Sequence, residues 1–195
     1  MSKPHKSHSV LHVGCGPFNP KTLHQTFQSP EWHEVRLDIN AKVKPDIVAS
    51  MTDMSAVVSD SMDAVWSSHN LEHLFAHEVS QALAEFLRVL KPSGFALITL
   101  PDLQSVAQLV VDDQLEDTAY QSPAGPISAI DMLYGHRRYV ADGNVFMAHR
   151  TGFTARTLGN VLARVGFARA EVKRGEAFDL WAVAHKSLPP EVHGT

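Results

Sequence analysis

Short apolar runs alternate with amphipathic stretches from residue 9 to residue 186. The run Ser9-Val10-Leu11-His12-Val13 reads as a buried strand that stops at Gly14-Cys15-Gly16-Pro17. Further strands are expected at 34–39, 46–50, 62–68 and 94–100, with apolar side chains on both faces, as in a parallel sheet covered by helices. Val79, Leu83, Phe86, Leu87 and Leu90 recur at i, i+4, i+7, i+8 and i+11, one face of a helix closed by Lys91-Pro92-Ser93-Gly94. Leu158, Val161, Leu162 and Val165 repeat that pattern, with Thr154 placed to cap the start and Gly166 the end. Two closing runs, 168–174 and 177–186, flank Gly175-Glu176 and predict an antiparallel hairpin. The expectation is therefore an α/β, doubly wound sheet, mostly parallel, with an antiparallel C-terminal hairpin. It forms a single domain over 9–186, with loose tails at 1–8 and 187–195. Residues 114–150, with Pro123, Gly125, Pro126, Gly135 and Gly143, fit neither period and read as an inserted lid.

Composition narrows the class. The chain has 195 residues, 44% of them apolar and 19% charged, which is ordinary for one globular domain. No signal-length apolar run opens it, and no stretch approaches the length of a membrane span, so a cytoplasmic location is expected. The single Cys15 cannot form an internal disulfide and agrees with a reducing compartment. A net charge of −4 argues against duplex DNA as a partner, although residues 136–174 are locally basic. That strip is either a solvated face or a receiver for an anionic group on a small-molecule acceptor. A monomer or a homodimer is expected.

The glycine turn carries the first candidate chemistry. Gly14 and Gly16 follow the first strand, where a backbone stripped of side chains can approach a ligand with its N–H groups. Asp38 lies 22 residues beyond Gly16, at the end of the next strand, where its carboxylate can accept both hydroxyls of a ribose. Asp53, just after the third strand, is placed either to reach an adenine amino group or to cap a helix. Asp102, after the fifth strand, lies at the same edge or caps the next helix.

VLHVGCGPFNP, LDIN, PDIVASMTDMS, SMDAVWSSHNLEHL and FLRVLKPSGFALITLPD follow one another over residues 9–113. In that order they resemble the class I S-adenosylmethionine-dependent methyltransferases, and most closely the methyltransferase-11-like group of small-molecule enzymes. The resemblance implies a Rossmann-like sheet of strand order 3-2-1-4-5-7-6, S-adenosylmethionine as cofactor, and methyl transfer to a small molecule through oxygen or nitrogen. It also implies a cofactor site of Gly14, Cys15, Gly16, Asp38, Ile39, Asp53, Met54, Ser68 and His69, the last two bordering the transfer centre. His12 stands where many members have Asp or Glu, and Phe18, where many have a third glycine, is expected to narrow the turn. Two alternatives stay open: a protein that binds the cofactor without catalysis, and a nicotinamide-dependent oxidoreductase, which usually shows all three glycines.

On the acceptor side the candidates are histidines and arginines. A hydroxyl acceptor needs a base, and His69, His136 and His149 are the candidate catalytic residues. Tyr134, Arg137, Arg138 and Arg150 are the candidate substrate-binding residues, the arginines suiting a carboxylate or phosphate. The string His69-x-x-Glu72-His73 matches a zinc-peptidase pattern that needs both histidines on one regular helix, whereas His69 directly follows a strand. No metal is therefore expected; the alternative, implied by the resemblance to related O-methyltransferases that have Glu-x-x-Glu-His here and use magnesium, is an ion on His69, Glu72 and His73, completed by His149 or His136. The favoured reading has Leu71, Glu72 and His73 beginning the long helix, with Glu72 at its positive end.

Overall fold

The apolar runs come together as one seven-stranded sheet in a computed structural model that describes residues 7–188. Its strands are β1 (His8–Val13), β2 (Trp32–Asp38), β3 (Ile47–Val48), β4 (Met62–Ser68), β5 (Leu90–Pro101), β8 (Arg169–Arg174) and β9 (Asp179–His185). A separate hairpin supplies β6 (Thr118–Ser122) and β7 (Gly125–Ser128). The spatial order β3-β2-β1-β4-β5-β9-β8 is 3-2-1-4-5-7-6 when only the strands of the large sheet are counted. The first five run parallel, and β9 lies antiparallel to both β5 and β8. The register pairs Val13 with Leu37 and with Ser67, and Ser68 with Thr99, so four carboxyl ends open on one edge. That edge is where open parallel sheets receive ligands.

Two helices cover one face. α1 (Val79–Val89) and α5 (Ala155–Val165) bury Leu83, Phe86, Leu158 and Leu162 against Leu11, Val13, Val65 and Ile98. α5 starts with Thr154 and Thr157 capping each other's backbone and ends at Gly166, whose φ of 114° suits glycine. The other face holds Val10, Ala64, Trp66 and Leu97, and its cover is the segment 17–31, whose one 3₁₀ turn at Gln25–Phe27 buries Phe27 against them. Pro17, Pro20 and Pro30 punctuate that segment, and each denies a helix interior an N–H donor.

Two expectations need correction. Residues 114–150 are not irregular: they hold β6, β7, α3 (Ala129–Tyr134), α4 (Arg137–Ala141) and a 3₁₀ turn at Val145–Met147. The elements are too short for a period to emerge. Ile127, Ala129 and Met132 root the segment on Val106 of α2 (Leu103–Val111). Leu71, Glu72 and His73 do not begin the long helix either; they form a separate 3₁₀ turn, and α1 starts at Val79. Among the described residues no helix is long and apolar enough to cross a membrane.

Candidate active site

The glycine turn is fixed from both sides. Gly14 and Gly16 hold φ of 63° and 60°, left-handed values that side chains resist. A Cβ on Gly14 would lie 1.9 Å from Oδ1 of Asn70. Asn70 occupies that space because its Nδ2 donates to the carbonyls of Val13 (2.9 Å) and Ser68 (3.0 Å), clasping the ends of β1 and β4. Gly16 N donates to Asp38 Oδ2 at 2.8 Å, and Asn40 N to Asp38 Oδ1 at 2.8 Å. The loop and the carboxylate therefore converge.

They line one cavity of about 460 Å³, together with Ile39, Met51, Ser68 and His69. Each oxygen of Asp38 has taken one backbone donor, which leaves lone pairs for two further hydroxyls. Ile39, 51% exposed, offers an apolar side chain at the same mouth. A larger cavity of about 770 Å³ runs along the other face of the sheet past His12, Cys15, Lys21, Trp66 and Trp181. The two meet at Gly14, Gly16, Pro17, Ser68 and His69.

Several cofactor-side residues lie where the sequence did not put them. Asp53 is outside the 460 Å³ cavity, and its Oδ1 caps the turn by accepting from Ser55 N at 3.1 Å. Met54 is fully buried in the main core. Met51 and Thr52 take the cavity positions instead, because the turn leaves β3 after only two residues. Cys15 has a buried side chain, and that burial pushes its thiol up to about 11, so its backbone is what it offers a ligand. His12 is buried with Nδ1 2.7 Å from Glu34 Oε1; burial lowers its pKa further than Glu34 raises it, which keeps the ring neutral. Phe18 does not narrow the turn: it stands 71% exposed with the Arg36 guanidinium over its ring. Asp102 is fully buried and caps α2 by accepting from Gln104 N.

A third cavity, about 410 Å³, adjoins the first and shares His69, His73 and Met147 with it. Tyr120, His136, His149 and Asp179 line its other sides. All three candidate histidines thus meet in one place. Both ring nitrogens of His136 are buried without a partner in the protein. His69 is held at φ 52°, and its Nδ1 lies 3.2 Å from Oε1 of the buried Glu72. Burial opposes charge on both groups. The hydrogen bond between them outweighs it, together with Asp179 acting on His69, so the histidine pKa rises and the carboxyl pKa falls. His149 moves the other way, because burial lowers its pKa more than Glu72 raises it.

The arginines are elsewhere. Arg137 is spent on Asp131 (3.0 Å) and Glu116 (3.2 Å), which stiffens α3 against α4. Arg138 and Tyr134 are exposed and line none of the three cavities. Arg150 lines the 460 Å³ cavity, lying over the Phe75 ring at 4.9 Å. Sequence reasoning missed Asn70, Tyr120 and Asp179. Asn70 stood inside a quoted block but carried no local signal; Tyr120 and Asp179 reach the site only through long-range packing.

Residues 11–98 match a protein family described as a methyltransferase domain. No curated protein matches the sequence. Among solved structures, the chain resembles a SAM-dependent methyltransferase from Methanosarcina mazei, with 16% identity, 96% of each chain covered and a TM-score of 0.62. A SAM-dependent methyltransferase from Archaeoglobus fulgidus shares 15% identity over 93% of this chain and 86% of that one, TM-score 0.62. The citrinin polyketide synthase CMeT domain shares 13% identity over 95% of this chain, TM-score 0.60, and the chain spans 48% of that structure. At these identities the likeness to each structure is one of fold.

Proposed function

We propose that this chain, whose residues 11–98 match a methyltransferase domain, is an S-adenosylmethionine-dependent methyltransferase that methylates a small molecule on oxygen or nitrogen. One observation carries the reading: the glycine turn and Asp38 share a nucleoside-sized cavity, and that cavity opens at His69 and His73 into a second, histidine-lined one. The cofactor the family implies fits the first. Asp38 offers free lone pairs to a ribose, Ile39 and Met51 offer apolar contact to a base, and Gly16 keeps its Cβ space clear. When bound, that cofactor supplies a methyl group on positively charged sulfur.

The chain's own residues do the rest. Asp38 and the loop fix the donor, and the walls of the 410 Å³ cavity orient the acceptor for in-line approach, which supplies much of such a rate. His136, with both nitrogens unpartnered, is the base best placed to receive the acceptor's proton. Glu72 and Asp179 give that side a negative balance, and no arginine among the described residues lines the cavity, so a neutral or cationic acceptor suits it better than an anionic one. Residues 114–150 form its outer wall, in a protein proposed to work in the cytoplasm.

Calorimetric titration tests the reading. S-adenosylhomocysteine should bind one to one and NADH should not; the reverse would transfer the site to hydride chemistry. Radiolabelled methyl groups should then pass to a low-molecular-weight fraction of cell extract. Binding without any transfer would leave a non-catalytic cofactor-binding protein.

A further inference from the structure

Glu72, His73 and His149 each bring one ligand atom to a common point, all within 4.8 Å of one another. Oε1 of Glu72 accepts from His69, whereas Oε2 is buried with no hydrogen-bond partner. Buried carboxylate oxygens are normally satisfied, so an orphan asks for a ligand. The two rings are already oriented. His73 Nδ1 lies 3.2 Å from the Ala148 carbonyl and His149 Nδ1 lies 2.8 Å from the Met132 carbonyl. A carbonyl can only accept, so each Nδ1 is the donor and each Nε2 is the nitrogen left for an ion. Metal-binding histidines are held in this way, with the remote N–H donated to a carbonyl. The backbone locks the pair together across the sequence: Arg150 N and Thr151 N both donate to the Glu72 carbonyl, at 2.8 and 3.2 Å.

We propose that Glu72, His73 and His149 hold a divalent transition-metal ion, zinc or one of its size and softness. Two imidazole nitrogens and one carboxylate oxygen suit such an ion better than magnesium or calcium, which prefer all-oxygen sets. Three protein ligands leave a position open, and His73 and His149 line the 410 Å³ cavity toward which it faces. His69 is not among the residues whose ligand atoms converge; its Nδ1 instead orients the Glu72 carboxylate. If the proposed methyl transfer holds, the open position takes the acceptor's oxygen or nitrogen, lowering its pKa so that its proton leaves for a histidine such as His136.

The test begins with metal-stripped protein titrated by Co²⁺ and by Zn²⁺ without cofactor. One equivalent should bind, with a visible cobalt band, and X-ray absorption of the zinc-loaded wild type should show two imidazoles. Glu72→Gln and His149→Gln should each weaken binding by more than the roughly 10–100-fold that loss of a supporting partner costs. His33→Gln, at an exposed strand position, should leave binding unchanged. Thermal melting confirms that the variants fold, and the absorption spectrum tests the site without any variant. Failure to bind one equivalent, a spectrum without imidazole, or an unaffected His149→Gln overturns the site. S-adenosylhomocysteine titrated in parallel separates the two claims: retained cofactor binding with no metal removes only the ion, and the converse removes only the methyltransferase reading.

Discussion

The proposed cofactor and acceptor sides of the site are built on different principles. The cofactor side is a backbone device: two left-handed glycines, an asparagine clasp and a carboxylate already bonded to two amides, all at the ends of β1, β2 and β4. The acceptor side is a side-chain device, in which the turn at Leu71–His73 meets a segment more than sixty residues further along. Backbone devices constrain residue type at fixed spacing. Side-chain devices constrain only the final positions of a few atoms, and many sequences satisfy them.

The largest effect should come from breaking the backbone device. Gly14→Ala sets a Cβ against Asn70 at positive φ. A left-handed non-glycine costs about 1–2 kcal/mol, and displacing the two Asn70 bonds adds about 1 kcal/mol each, so denaturant melts should show a loss of about 3–4 kcal/mol. S-adenosylhomocysteine binding should vanish with it.

On the acceptor side, Asp131→Asn comes next. Ser128 and Arg137 hold the Asp131 carboxyl at about 2, their hydrogen bonds outweighing burial. A carboxyl depressed from about 3.9 to that value is worth about 2.5 kcal/mol. Its folded pKa lies below the unfolded one, so this stability is complete above about pH 5 and fades as pH falls toward 2. The wild type should lose that increment over this window in acid titrations, and the Asn variant should not.

His136→Ala should divide the halves kinetically. Turnover of an identified acceptor should fall by about 10²-fold or more, as expected for loss of a positioned base, with S-adenosylhomocysteine affinity unchanged. A loss confined to cofactor affinity would move His136 to the other side. The smallest effects are Arg138→Ala, with activity unchanged, and Cys15, whose buried high-pKa thiol should alkylate only on unfolding.

The same contrast explains what could be read before the fold was known. Gly14, Gly16 and Asp38 were legible because a tight strand-to-loop turn leaves a spacing in the sequence. Asp53 and Met54 missed the cavity by one or two residues, since β3 is only two residues long and carries no period to fix its end. Arg137 suggested an anion site because its true partner, Asp131, reveals itself only through the cap of α3. His136 and His149 were two of twelve histidines, and only the folded chain brings them beside His69. The segment 17–31 carried no period of either kind, and its three prolines leave it a covering loop with a single 3₁₀ turn.

The most direct measurement is calorimetric titration of S-adenosylhomocysteine into the wild type, Asp38→Ala and Asp38→Asn, with melting curves to confirm folding. Each charge-assisted bond to a ribose hydroxyl is worth about 1.5–3 kcal/mol, so the Ala variant should bind at least about tenfold more weakly, with the Asn variant between. Equal affinity in all three folded proteins would mean that the cofactor does not sit where the glycine turn meets Asp38.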